Sequence, residues 1–184
     1  MQSDHEGFTL IELMVTLAVA AILLTVGMPS MREFIERNRV SAYTNLLVGA
    51  LQLAKSEAIK RGNLVILCKS NAAGNGCNPS GAWKDGWLLY ADMNADKAYT
   101  PGTDTLIRRH EATSQLSITT GSKLACWIGF SPNGIPEGGG TGCAGRLVGN
   151  DTFSICASNP SATRHGRRVI INSTGRIRTE DATC

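Results

Sequence analysis

At 184 residues and a net charge of +3, the chain has room for one domain with a real core plus accessory segments. Its overall charge is too small to name a partner. Hydrophobic residues make up an unremarkable 42%, but one nearly unbroken apolar block precedes a mixed, glycine-rich remainder, which excludes a uniformly patterned soluble chain.

The first seven residues, Met1-Gln2-Ser3-Asp4-His5-Glu6-Gly7, are polar and contain no Lys or Arg. Residues 8–28 then run almost entirely apolar, interrupted by Glu12 and the weakly polar Thr9, Thr16 and Thr25. As a helix, about 20 such residues span the roughly 30 Å hydrocarbon core of a bilayer, so 8–28 is predicted as a transmembrane helix. An ordinary secretory signal has a basic start, a shorter apolar run and a cleavage site after that run. Here the polar-to-apolar switch falls between Gly7 and Phe8, where a glycine offers a protease unhindered backbone. Glu12 stands out, because a carboxylate inside a transmembrane helix costs roughly 2.5–3.5 kcal/mol. It lies about one helical turn after Phe8. Cleavage after Gly7 gives Phe8 a cationic α-amine, and the Glu12 carboxylate of one subunit can pair with that amine on a neighbour, setting the axial register between helices. The alternative is a hydrated carboxylate near the interface.

The segment Gly7-Phe8-Thr9-Leu10-Ile11-Glu12-Leu13, followed by the apolar run, resembles the type IV prepilin processing motif. The resemblance implies a leader at 1–7, cleavage between Gly7 and Phe8 by a membrane prepilin peptidase, methylation of the new N-terminus at Phe8, and assembly with other pilins through the N-terminal helix around Glu12. It also implies a single pass through the inner membrane with the following domain in the periplasm, then incorporation into a pilus or pseudopilus. The leader departs from the pattern in lacking basic residues, while Arg32, Arg37 and Arg39 follow the apolar block; that charge bias does not support the implied orientation.

Beyond the block, residues 29–61 are predicted to continue the helix as its amphipathic outer half. Met31, Phe34, Ile35, Leu46, Leu47, Ala50, Leu51, Ala54 and Ala58 recur at spacings near three and four. Pro29 is expected to bend it by removing a backbone donor. Lys60 and Arg61 followed by Gly62 form a stop signal.

From 62 to 184 the pattern changes to short β-like runs separated by Gly, Pro, Asn and Ser, predicting strands near 63–69, 86–92, 105–111, 117–120, 125–130, 152–156, 168–172 and 176–179. The fold class is α+β: a long N-terminal helix packed on a mostly antiparallel β-sheet head. Glycine-rich stretches at 71–80 and 134–145 read as long loops. Six cysteines at 68, 77, 126, 143, 156 and 184 all follow the apolar block, as disulfides in an oxidising compartment such as a periplasm would. Six cysteines leave the connectivity open; the pairings that close local loops or anchor the chain end are Cys68–Cys77, Cys126–Cys143 and Cys156–Cys184.

Three head segments resemble the GspH/FimT group of minor pilins and pseudopilins: Gly86-Trp87-Leu88-Leu89-Tyr90-Ala91-Asp92-Met93-Asn94, Ile128-Gly129-Phe130-Ser131-Pro132-Asn133-Gly134, and Arg168-Val169-Ile170-Ile171-Asn172-Ser173-Thr174-Gly175-Arg176-Ile177-Arg178.

Most chemistry-bearing residues have plain readings. Asp92, Asn94 and Asp96 imitate the start of a calcium loop, but Lys97 and Thr103 stand where Gly and Glu belong, so a turn held by side-chain hydrogen bonds is expected and no metal. Gly138-Gly139-Gly140 precedes no helix signal, His5, His110 and His165 lie near no nucleophile signature, and Trp83, Trp87 and Trp127 read as core anchors. No catalytic constellation and no cofactor motif is found, so an enzyme is not expected.

The C-terminal arginines differ. Asn172-Ser173-Thr174-Gly175 reads as a tight turn, after which alternation puts Arg176 and Arg178 on one face and Ile177 on the other. Arg164, Arg167 and Arg168 precede the turn and are candidates to join them, since guanidinium forks suit phosphate oxygens without regard to base sequence. Gly175-Arg176-Ile177-Arg178 resembles the Gly-Arg-any-Arg motif of FimT-type minor pilins that bind DNA in natural transformation; related assembly-priming subunits and pseudopilins often keep the first arginine alone. The resemblance implies a minor pilin with DNA as partner. The alternative is a structural pseudopilin of a type II secretion system, or an assembly-priming subunit without a DNA role.

Overall fold

The structure, a computed structural model, describes residues 7–139, 150–158 and 165–184, and for 26–30 the backbone alone. By internal contacts the chain divides into two units, Met1–Asn38 and Arg39–Cys184. One helix, α1 (Leu10–Arg61), supplies most of the first unit and enters the second.

In the first unit, Thr9 caps α1: its side-chain oxygen accepts the Glu12 N–H at 3.3 Å and its carbonyl accepts the Leu13 N–H at 3.2 Å. Glu12 thus occupies the third position of the first turn, where a carboxylate complements the helix dipole. The Thr16 hydroxyl donates to the Leu13 carbonyl at 2.9 Å and the Thr25 hydroxyl to that of Ile22 at 2.8 Å, so both bond within their own helix. Phe8, Leu10, Ile11, Leu13 and the apolar residues up to Leu24 are exposed, as are Met31, Phe34 and Ile35. Among the described residues, no helix is long and apolar enough to cross a membrane; the apolar run in the sequence continues past Thr25 into 26–30, whose side chains are not described.

The second unit begins with the part of α1 that does pack. Val40, Tyr43, Leu47, Ala50, Leu51, Ala54 and Ala58 are buried at three- and four-residue spacing. The apolar stripe expected from Met31 onward is therefore buried only from Val40. Alanine at 50, 54 and 58 presents little side-chain bulk to that core. Gly62 ends the helix with a φ of 69°, its N–H donating to the Ala58 carbonyl at 3.0 Å.

Two antiparallel sheets follow. The first, ordered β3-β2-β1-β5-β6, contains β1 (Leu64–Lys69), β2 (Trp87–Asp92), β3 (Thr105–His110), β5 (Trp127–Phe130) and β6 (Pro136–Gly139). The second, ordered β4-β7-β8-β9, contains β4 (Leu116–Thr120), β7 (Asp151–Ala157), β8 (His165–Ile171) and β9 (Ile177–Thr183). Strand β6 lies in a stretch expected to be loop, because Pro-Glu-Gly-Gly has poor strand propensity. Pairing with β5 from Trp127↔Gly139 to Phe130↔Pro136 holds it, and Gly138 is required there because a Cβ would come within 2.6 Å of the Lys123 carbonyl oxygen.

Strands β1 and β2 are buried on both faces, which explains their near-continuous apolar runs. Val65, Leu67, Leu89 and Ala91 join α1 in the main core, together with Phe153, Ile155, Val169 and Ile171 of the second sheet. Ile66, Cys68, Leu88, Tyr90 and Trp127 form a smaller cluster. Trp83, in the turn before β2, packs edge-on to Phe153 of β7 at 4.9 Å and donates its indole N–H to the Leu124 carbonyl, in the turn before β5, at 3.2 Å. Disulfides join Cys68 to Cys77 and Cys156 to Cys184. Cys126 is also disulfide-bonded; Cys143 lies outside the described residues.

Candidate functional site

The β8–β9 hairpin turn is built by Asn172 and Gly175. The Asn172 side-chain oxygen accepts the Thr174 N–H at 3.1 Å, the Thr174 hydroxyl at 2.8 Å and the Arg176 N–H at 2.8 Å, while the Gly175 N–H donates to the Asn172 carbonyl at 2.9 Å. Gly175 has a φ of 75° and is buried. A Cβ there would sit 2.5 Å from the Gly134 carbonyl oxygen in the β5–β6 turn, so only glycine fits this approach. The Lys55 ammonium of α1 donates to the Gly175 carbonyl at 3.1 Å. Three elements distant in sequence thus meet at the turn.

Beyond it the chain alternates. Ile177 is partly buried against the main core, and Arg176 and Arg178 on either side of it are exposed. Neither arginine makes an ion pair among the described residues. The arginines of β8 are placed differently. Register pairs Arg168 with Glu180 and Arg167 with Asp181; as strand neighbours they face opposite sides of the sheet. Arg168 lies 3.7 Å from Glu180, on the face that Arg178 shares, and Arg167 lies 3.3 Å from Asp181 on the other. Arg164 lies outside the described residues. The hairpin therefore leaves Arg176 and Arg178 exposed two residues apart, puts Arg168 on the Arg178 face with its charge partly engaged, and directs Arg167 to the other face.

At the other end of the chain, Gly7, Phe8 and Glu12 are all exposed. A Cβ on Gly7 would meet nothing within 4 Å, so the bond after it lies in open backbone.

The remaining candidates are structural. Asp92 accepts the Lys97 N–H at 3.0 Å, Asn94 accepts that of Asp96 at 3.3 Å, and Asp96 accepts that of Ala98 at 2.8 Å. Asp104 accepts the N–H groups of Met93 at 3.0 Å and Thr100 at 2.7 Å. These carboxylates hold their own loop, and among the described residues no group of three His, Cys, Asp or Glu side chains is placed to hold a metal. Trp83, Trp87 and Trp127 are buried. His110 stacks on Trp87 at 5.3 Å with Tyr43 edge-on at 5.4 Å. Gly138 and Gly139 lie in β6.

Sequence reasoning missed Lys55, whose partner is 120 residues away, and the Thr9 cap, whose Thr-x-x-Glu spacing was the available signal.

Compared with known proteins, residues 43–175 match the family model described as type II transport protein GspH, and residues 3–28 match that of the prokaryotic N-terminal methylation motif. The fold is similar to that of the type IV minor pilin FimU of Pseudomonas aeruginosa in two crystal forms. One gives a TM-score of 0.53 at 22% identity over 80% of this chain and 92% of that one. The other gives 0.50 at 20% identity over 76% and 91%. The minor pseudopilin EpsH from the type 2 secretion system of Vibrio cholerae gives 0.48 at 14% identity over 77% and 95%. No curated protein matches the chain.

Proposed function

Since the chain belongs to the type II transport protein GspH family, we propose that it is a minor pilin of a type IV pilus that binds DNA without sequence preference through Arg176 and Arg178. One observation carries the DNA reading: Arg176 and Arg178 are both exposed on either side of the partly buried Ile177, with no ion pair among the described residues, directly after a turn held by Asn172, Gly175 and Lys55. A guanidinium without a protein partner keeps its donor fork for phosphate oxygens. Arg168, 3.7 Å from Glu180, contributes less.

The N-terminus supplies the route to the filament. A prepilin peptidase cuts between Gly7 and Phe8, Phe8 is methylated, and residues 8–28 hold the subunit in the inner membrane with the head in the periplasm. On assembly, Glu12 pairs with the Phe8 amine of an adjoining subunit. The methylation-motif match at residues 3–28 supports this reading, as do the exposed apolar side chains from Phe8 to Leu24, which a lipid or helical neighbour would cover.

The test is a titration of the full chain in detergent against a short fluorescent duplex of arbitrary sequence. Arg176→Ala/Arg178→Ala weakens binding at least tenfold and leaves the unfolding midpoint unchanged; a double variant that binds like the parent defeats the DNA reading. A second reading, a structural pseudopilin of a type II secretion system, is favoured by the description of the matching family. It predicts no DNA binding by parent or variant.

A further inference from the structure

Lys55 is partly buried on α1 beside the buried Ala54, and its ammonium donates to the carbonyl of Gly175 at 3.1 Å. The fit around that bond is close. A Cβ on Gly175 would stand 3.2 Å from Lys55 Nζ, and one on Gly134 would stand 2.9 Å from Lys55 Cε. Both glycines have positive φ, 75° and 74°, so the two turns leave the space through which the lysine passes. Holding a lysine here costs side-chain entropy and part of its hydration. Its acceptor is the residue immediately before Arg176, and Ile177 anchors the next position against the core.

We infer that Lys55 is a positioning residue for the Arg176–Arg178 face: it ties the hairpin turn to α1 and thereby fixes where the two guanidiniums stand. This rests on the reading that those arginines bind DNA. A hydrogen bond from a charged donor is among the stronger ones. The helix beneath is fixed by Leu51, Ala54 and Ala58, so the turn inherits the rigidity of the core. A pre-positioned pair of cations loses less freedom when it meets two phosphates than a mobile pair does. Lys55 is assigned to the turn rather than to phosphate because the bond its ammonium makes is to the Gly175 carbonyl; two N–H donors and the charge remain, so the salt slope below separates the two roles.

The experiment uses the full chain in detergent with Lys55→Met, which keeps length and removes the charge, and Lys55→Arg, which keeps a charged donor. Two readouts are taken: amide exchange at Gly175 and Arg176, and affinity for a short duplex across salt concentrations. In Lys55→Met, exchange at both amides rises about tenfold and DNA affinity falls several-fold with the salt slope unchanged. Lys55→Arg recovers at least half of each effect. Unchanged exchange and affinity in Lys55→Met overturn the inference. So does an affinity loss with unchanged exchange and a slope shallower by about 0.9, the mark of one lost phosphate contact. Failure of the DNA reading is separately visible: Arg176→Ala/Arg178→Ala then binds like the parent, while the exchange at Gly175 and Arg176 still reports whether Lys55 holds the turn.

Discussion

Asn172 and Arg176 hold each other twice, the Asn172 N–H donating to the Arg176 carbonyl at 3.2 Å and the Asn172 side-chain oxygen accepting the Arg176 N–H at 2.8 Å. The same oxygen also serves the N–H and hydroxyl of Thr174. Asn172→Ala removes the bonds to this oxygen, leaving their exposed donors to water, and is expected to cost about 1–2 kcal/mol, with amide exchange rising at Thr174 and Arg176. Asn172→Asp keeps the acceptor and retains most of the protection. Urea denaturation of the three proteins checks the order.

Gly175 is the harder position to replace. Gly175→Ala pays for a left-handed backbone, about 1 kcal/mol, and drives a methyl toward the Gly134 carbonyl, 2.5 Å away. The total loss is expected to exceed about 2 kcal/mol. A stability equal to the parent's in denaturant contradicts the close approach.

The Cys156–Cys184 bridge ties the edge strand β9 at its end to β7 across a separation of 28 residues. Its removal is expected to cost about 3–4 kcal/mol by chain entropy, more than loss of Cys68–Cys77, whose separation is 9. Gly166 lies beneath the bridge, where a Cβ would collide with the Cys184 sulfur, so Gly166→Ala strains the same corner. Denaturation of the paired Cys→Ala variants ranks the two bridges.

Burial pushes the Tyr43 phenol up to about 12, and burial followed by the carboxylates of Asp92, Asp104 and Asp96 raises that of Tyr90. Unfolded tyrosines lose their protons near about pH 10. Above that, the folded chain binds more protons than the unfolded one, so stability falls as pH rises. The slope is about 1.4 kcal/mol per pH unit for each tyrosine. Tyr43→Phe removes one share of that slope. Unfolding midpoints from pH 8 to pH 12 test the sign; a flat profile contradicts it.

Much of the fold is legible because its signals are local. The stop at Lys60-Arg61-Gly62, the apolar runs of β1 and β2 and the turn at Asn172–Gly175 each rest on neighbours in sequence. Strand β6 is not, since Pro-Glu-Gly-Gly is held by pairing with β5 rather than by its own preferences. Arg167 and Arg168 show a limit of composition: five nearby arginines read as one patch, but adjacent strand residues face apart, and each of these meets a carboxylate that the hairpin register supplies. Lys55 carries no local signal at all, because on the helix it looks like any solvated lysine until the chain returns 120 residues later.

The DNA reading is tested most directly by the salt dependence of binding to duplexes of unrelated sequence. With Arg176 and Arg178 as the main contacts and Arg168 as a partial third, two to three phosphates are neutralised. Log affinity is then predicted to fall against log salt with a slope of about −1.8 to −2.7 for every duplex, and to flatten toward zero in Arg176→Ala/Arg178→Ala. A slope that the double variant leaves unchanged, or no binding by the parent at low salt, contradicts it.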